Sequence, residues 1–512
     1  MFRSFTQLTL ALLLMVCISV NMVNSQTASS DATFIQTVPT KDSLTSQLAA
    51  LVTAYADLDM FSGTVLVAKK GEVIYEGAFG EANKDHHVPN RMDTRFNIGS
   101  IGKTFTAVSI MQLLEAGKLQ LTDPLSKFLP DFPFPEKDTI TIHHLLTHSS
   151  GLGDYLDHKD YSCRMATLRK IEDTLSLVYD QKPEFPAGER FQYSNSGFLV
   201  LGAIIEKVSG LPYPEYIQEY IFQPLGMKES SIAFEEEILP NRSIGYTKHW
   251  DGTYTANVLS IPPACPAGGL RTTARDLLKF DQALYGSTLL SEESKTKIFS
   301  PSRFKPTYAY GWEVKEYHGN RFVGHSGGAD GIEAFFYRFI DAGYTIITLS
   351  NYDGGNGQVC SGIEAILFGQ EYSLPTIADA NFTLGYALQS KGKHDEAVKV
   401  FARNLNSNPP HLLSLFLSAN SRIMGGFELE EAIIDLDRYI QLAGKDAWPP
   451  LSMAWGRKGS AFKKLCKIEE ACRCFKKVLE MDPMNKRAKK ELEEMKSKPV
   501  KKKDEVYAFL VQ

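Results

Sequence analysis

The chain has 512 residues, of which 43% are hydrophobic and 22% charged, with a formal net charge of −5. This length implies two or three domains, and the composition is that of a folded soluble protein. The mild negative charge gives no electrostatic case for nucleic acid, and the sparse cysteines do not form a disulfide framework.

Arg3 precedes an apolar run from Leu8 to Val20, and Val23-Asn24-Ser25 stand before Gln26. That is the layout of a secretory signal peptide over residues 1–25. The protein is therefore expected to be exported, to a periplasmic or extracellular site. It would touch a membrane only if this segment stayed uncleaved. Residues 26–39 read as a Ser/Thr/Ala-rich leader. Leu44, Leu48, Leu51, Val52 and Tyr55 give a helix pattern, and Gly63–Ala68 and Glu72–Glu76 flank Lys69-Lys70-Gly71 as strand, turn and strand.

Next comes Phe96–Phe105, continuing to Gly117. Phe105, Val108, Met111 and Leu114 recur at three-residue steps, with Ile110 and Leu113 widening the stripe. This predicts a helix buried on most sides. Ser100 falls at or just before its first turn, and Lys103 lies on the same side. A serine hydroxyl needs a base, and an amine one turn away serves once its pKa is lowered. Gly102-Lys103-Thr104 resembles the end of a phosphate-binding loop, but that motif requires glycine at position 97 and Asn97 stands there.

From Leu121 to Phe304 helices and loops dominate. His144 and His148, four apart, invite a zinc reading, but a zincin helix needs glutamate where Leu145 stands, so they read as structural. Ser149-Ser150-Gly151-Leu152 reads as a turn. Gln192–Gly197 precedes the apolar helix Phe198–Val208, so Tyr193 and Asn195 can set a phenol and an amide side by side. Gly324-His325-Ser326-Gly327-Gly328 opens a group of late strands, Arg321–Val323, Gly331–Phe339 and Tyr344–Ser350, closed by a helix from Ser361 to Phe368. A glycine-rich edge admits a substrate backbone, and its N–H groups can hold an oxyanion. The layout predicts one antiparallel sheet whose first and last strands come from the two ends of the domain, with a helical lobe between.

The character changes at Ala380. Gly385, Ala397 and Phe401 are echoed by Gly459, Ala471 and Phe475 at an offset of 74, with Ala432 and Leu436 near the midpoint. The pattern resembles tetratricopeptide helix pairs, three of them plus a helix from Lys486 to Met495. Lys496, Lys498 and Lys501-Lys502-Lys503 form a small basic end.

The ordered set Ser100-x-x-Lys103, Tyr193-x-Asn195 and His325-Ser326-Gly327 resembles the penicillin-recognising serine hydrolases. The closest branch includes class C β-lactamases, D-alanyl-D-alanine carboxypeptidases and β-lactamase-fold esterases. Flanking pieces agree, among them Leu145–Leu152, Ala267–Leu277 and Tyr310-Gly311-Trp312. The resemblance implies an α+β fold, an antiparallel sheet flanked by helices with a helical lobe, over residues 40–372. A linker over 373–380, all-α repeats over 381–498 and a basic tail over 499–512 would follow.

It also implies roles. Ser100 would be the nucleophile, Lys103 and Tyr193 would share the proton work, and Asn195 would orient the substrate. Ser100 and Gly328 N–H groups would form the oxyanion hole, with His325, Ser326 and Gly327 along the opposite wall. No metal or organic cofactor is implied. The substrate would be a small molecule or peptide, and the repeats could take a protein partner. His325 departs from the lysine of class C β-lactamases, which favours a peptidase, amidase or esterase. Two rival readings remain. Gly324–Gly328 also fits the G-x-S-x-G elbow of α/β-hydrolases, with Ser326 as nucleophile. Alternatively, a catalytically weak fold serves as a scaffold through its repeats.

Overall fold

The computed structural model describes residues 41–232, 237–257, 265–317, 319–405, 411–444 and 447–497. The expected signal peptide, leader and basic tail lie outside them. The described residues fall into two compact units, one within Met1–Lys248 and Tyr254–Pro375, the other within His249–Thr253 and Thr376–Gln512.

In the first unit the main sheet is built from β1 (Gly63–Lys69), β2 (Glu72–Phe79), β3 (Glu313–Tyr317), β4 (Asn320–Ala329), β5 (Ile332–Phe339) and β6 (Tyr344–Ser350). Their order is β2-β1-β6-β5-β4-β3, antiparallel throughout. Gly63 of β1 lies opposite Ser350 of β6, so the two ends of the domain close the sheet as expected. The strands alternate between two buried faces. Leu66, Ala68, Ala334, Phe336, Ile347 and Leu349 join the main core. Val65, Val67, Phe335, Tyr337 and Ile346 are also buried but point the other way. Their face is covered by α1 (Lys41–Asp57) and a late helix, Asn356–Leu367 (α5 below). That is why these strands read as near-continuous apolar runs.

The core face holds α2 (Gly102–Glu115), with α3 (Asn195–Ser209) against it, and α4 (Ala274–Ala283) beneath the sheet; α5 (Asn356–Leu367) completes the unit. Phe105 of α2 stacks on Phe280 of α4 at 4.1 Å, and Phe280 meets Phe336 of β5. From Gly102 to Met111 every residue of α2 is buried. Each fully buried Phe, Ile, Val or Met contributes about 1.5–3 kcal/mol. Such a helix does not shift to suit one polar side chain. Lys103 is held wherever the apolar packing puts it.

The second unit contains three helix pairs and a final helix: α6 (Ile377–Ser390) with α7 (His394–Leu405), α8 (Leu412–Gly425) with α9 (Leu429–Leu442), α10 (Leu451–Lys464) with α11 (Ile468–Met481), then α12 (Lys486–Ser497). The repeated residues meet within each outer pair. A Cβ on Gly385 would lie 2.6 Å from the Phe401 ring, and one on Gly459 would lie 2.9 Å from the Phe475 ring. Ala397 and Ala471 are fully buried. The middle pair keeps the geometry without the signature: Ala432 and Leu436 are buried, but leucine stands where the outer pairs have phenylalanine.

Candidate active site

A short ladder sets the turn that carries Ser100. Phe96–Asn97 pairs with Arg271–Thr272, and Asn97 Oδ1 accepts the Gly99 N–H at 2.9 Å. Gly99–Ile101 forms one 3-10 turn that runs into α2, leaving Ser100 half-buried at the helix start. Gly99 has φ +51°, and a Cβ there would lie 2.8 Å from Gly328 N. At Gly327 a Cβ would lie 1.9 Å from the Ile98 carbonyl oxygen. The turn and β4 thus meet backbone to backbone, an approach that glycine alone allows. Gly327→Ala is expected to push them apart, at a cost of about 1–3 kcal/mol. Thermal melts and ester turnover check this; a variant matching wild type in both would contradict the contact. Beyond Gly324, β4 is no longer paired with β3, so the edge from His325 to Ala329 is open on that side.

Lys103 is fully buried. Its Nζ donates to Ser100 Oγ at 2.9 Å, Asn195 Oδ1 at 2.7 Å and the Ala267 carbonyl at 2.8 Å. Three acceptors match the three protons of an ammonium. Burial nevertheless lowers its pKa to about 7, against the smaller opposing pull of Cys265 and Asp154. A neutral amine keeps two N–H donors and one lone pair. A carbonyl oxygen only accepts, and so does Asn195 Oδ1. The lone pair therefore points at Ser100. In the neutral form, Lys103 is geometrically a base for that hydroxyl.

Asp154 sets the orientation of Asn195. Its Oδ2 accepts from Asn195 Nδ2 at 2.8 Å and Asn195 N at 3.1 Å, while Oδ1 accepts from Leu156 N. The amide cannot turn over without facing two oxygens together, and Nδ2 keeps one proton free. Burial raises the Asp154 pKa, opposed by these donors and by Lys103. Since Asp154 favours protonated Lys103, Asp154→Asn is expected to move the acid limb of kcat/KM to lower pH. The rate loss should be about tenfold to a hundredfold. An unmoved limb would show the carboxylate is not coupled to the lysine.

The Tyr193 hydroxyl is buried and makes no hydrogen bond of good geometry. Burial raises its pKa despite the Ser100 hydroxyl beside it, so it is a neutral phenol. Lys103 Nζ lies 4.9 Å from its ring centre, and His148 stacks on it at 4.3 Å.

The remaining expected residues lie on β4. His325 is buried, with Nε2 on Tyr308 Oη at 3.1 Å and Nδ1 on the Ser326 carbonyl. Burial lowers its pKa to about 4, with Glu313 opposing and Lys103 and Lys305 assisting. Ser326 donates to Glu313 Oε1 at 3.2 Å from within a strand, not from a strand-to-helix elbow. Gly328 is exposed. His144 and His148 do not share a helical face: the helix Ile142–Leu146 ends before His148, which has φ +53°. Among the described residues no His/Cys/Asp/Glu group could hold a metal.

The β-lactamase family profile matches residues 48–371, more than half of the chain and every site residue above. The chain belongs to the β-lactamase family. Penicillin-binding protein 4* of Bacillus subtilis is 32% identical over 351 residues, covering 64% of this chain and 77% of that protein. A crystal structure of a penicillin-binding protein from Bacillus halodurans superposes with TM-score 0.58 at 35% identity, covering 62% of this chain and 98% of that one. A D-stereospecific amidohydrolase from Streptomyces gives TM-score 0.55 at 25% identity, covering 65% of this chain and 100% of that one. The first unit is thus a β-lactamase-fold serine hydrolase, as the three ordered motifs implied. The tetratricopeptide profile matches residues 378–411 and 454–485, the outer helix pairs. The middle pair, with its altered residues, is the one left unmatched.

Three participants escape a reading by spacing. Asp154 follows a turn, far in sequence from the Asn195 it holds. Ala267 contributes only a carbonyl, which every residue has. Tyr308 precedes Tyr310-Gly311-Trp312 without a motif of its own. A deliberate count of acceptors for a buried lysine would have demanded such partners without naming them.

Proposed function

We propose that the β-lactamase-family unit hydrolyses an amide or ester through an acyl-enzyme on Ser100. Candidate substrates are a D-amino-acid peptide, a β-lactam-like compound or a small ester. The observation that carries this reading is the buried Lys103, whose lone pair, when neutral, has Ser100 as its only unfilled partner. Lys103 takes the Ser100 proton as Oγ attacks the carbonyl carbon. The tetrahedral oxyanion is held by the N–H groups of Ser100 and Gly328. Tyr193, kept neutral by burial, relays a proton to the leaving group. The free Nδ2 proton of Asn195 meets the substrate carbonyl, and water then releases the acyl group from Ser100.

Intact mass after incubation with a penicillin and, separately, an activated ester tests this. An adduct that maps to Ser100, or ester turnover that depends on it, is expected. A folded protein inert to both reagents, or an adduct on Ser326, would sink the proposal. The helical repeats are further read as a surface for a protein or peptide partner. Cross-links mapped only to residues 48–371 would count against that. Export is read from the first 25 residues. A mature chain that still begins at Met1 would refute cleavage; among the described residues no helix is long and apolar enough to cross a membrane.

A further inference from the structure

The histidine-rich run before Ser149 has no step in acyl transfer, yet His148 lies at the heart of the site. Four hydrogen bonds in line join its two walls. Ser194 N–H donates to His148 Nδ1 at 3.1 Å, His148 Nε2 and Tyr308 Oη are 3.0 Å apart, Tyr308 Oη and His325 Nε2 are 3.1 Å apart, and His325 Nδ1 reaches the Ser326 carbonyl. The ends fix the direction of the whole chain. A backbone N–H only donates and a carbonyl only accepts.

His148 must therefore accept at Nδ1 and carry its proton on Nε2, which it gives to Tyr308. The tyrosine spends its single proton on His325 Nε2. His325 must then carry its own proton on Nδ1, donated to Ser326. A further proton on His148 would set Nδ1–H against Ser194 N–H. A further proton on His325 would leave the buried Tyr308 hydroxyl with nothing to donate to. Both rings are nearly or fully buried, at 1% and 3% exposure, where a stranded donor costs about 1–3 kcal/mol.

We propose that His148 and Tyr308 are positioning residues that hold His325 as its neutral Nδ1–H tautomer, so that His325 offers substrate no cation and the site gains nothing from a carboxylate on the leaving group. This rests on the Ser100 reading for the chemistry, not for the tautomer. The charged and titratable groups around His325 agree. Burial, with Lys103 of α2 and Lys305, disfavours an imidazolium more than Glu313 of β3 and the Ser326 carbonyl favour one, and Tyr193 and Tyr308 present neutral rings. His148 is likewise pushed well below its ordinary value by burial, with Lys103, His325 and Lys305 adding to the effect.

Two measurements test the proposal on the full chain. Nitrogen NMR of histidine-labelled protein near neutral pH should show His148 protonated on Nε2 and His325 on Nδ1, assigned against His148→Gln and His325→Gln. Tyr308→Phe, which removes only the linking hydroxyl, leaves the Ser326 carbonyl to keep Nδ1–H but takes away the donor to Nε2, so His325 should take up a second proton at higher pH than in wild type; an unchanged titration would show that Tyr308 is merely structural. Second, the phenyl and meta-carboxyphenyl esters of one acyl group are compared. Wild type should show no preference for the carboxylate ester in kcat/KM. His325→Lys should shift the ratio towards that ester by about tenfold or more, the worth of one charge-assisted hydrogen bond gained. A charged or Nε2-protonated His325, or a wild-type preference for the carboxylate ester, would overturn the proposal. If neither ester turns over, the Ser100 reading fails while the NMR still decides the tautomer.

Discussion

Ser100→Ala is expected to lower kcat on an activated ester by roughly 10⁴- to 10⁶-fold and to abolish the penicillin adduct. The magnitude follows from the role. Without Oγ there is no acyl-enzyme, and what survives is positioning and the oxyanion donors acting on water. The fold should be untouched, because Ser100 is half-buried in a 3-10 turn whose conformation is set by Gly99, by Asn97 and by the ladder behind it. Stopped-time mass spectrometry with steady-state kinetics measures both effects. Residual activity within tenfold of wild type would move the nucleophile elsewhere, with Ser326→Ala as the comparison. Ser326 is poorly prepared for that role, since its hydroxyl is bonded to a carboxylate and not to an imidazole.

Lys103→Met should cost less activity than Ser100→Ala but still a large part of it, and its effect on stability should run the other way with pH. Activity first: if neutral Lys103 is the base, wild-type kcat/KM rises with pH through about 7. Loss of the base should lower kcat/KM by about 10²- to 10⁴-fold. The variant should also lack that limb. Stability second: the folded-state pKa is depressed from the ordinary 10.5 to about 7. Between those values the unfolded chain binds the extra proton, so stability rises with pH there. Below about 7 both states are protonated and the full penalty of a buried ammonium remains. Methionine carries no such penalty. Its advantage over wild type should be larger near pH 6 than near pH 9 by about 2–3 kcal/mol. Denaturant melts at the two pH values measure the difference. A pH-independent difference would mean that Lys103 keeps an ordinary pKa.

Much of the fold is legible because burial leaves a periodic trace. β1 reads as a strand, and its apolar run reflects helices on both faces. The stripe of α2 identified a buried helix with Ser100 and Lys103 one turn apart. Gly385 and Phe401, repeated at Gly459 and Phe475, revealed helix pairs because a ring needs a residue without a side chain beneath it. Where leucine replaces that ring, in the middle pair, the periodic sign fades although the helices form.

The site was legible only where its residues are close in sequence or sit in ordered motifs. Ser100-x-x-Lys103, Tyr193-x-Asn195 and His325-Ser326-Gly327 marked the family. Nothing in the sequence ties Asp154 to Asn195, or His148 through Tyr308 to His325, because side chains from separate segments meet only once the chain has folded.

The amino-acid sequence by itself determined which chemistry the chain carries: a serine, an amine one helical turn away, a phenol with an amide, and a glycine-rich strand. Tertiary structure alone decided the state of that chemistry. The same lysine in water would be a cation and the same histidine would titrate near neutrality. Burial removes the solvent that stabilises charge, and fixed donors and acceptors from distant segments then choose the tautomer and the direction of the lone pair.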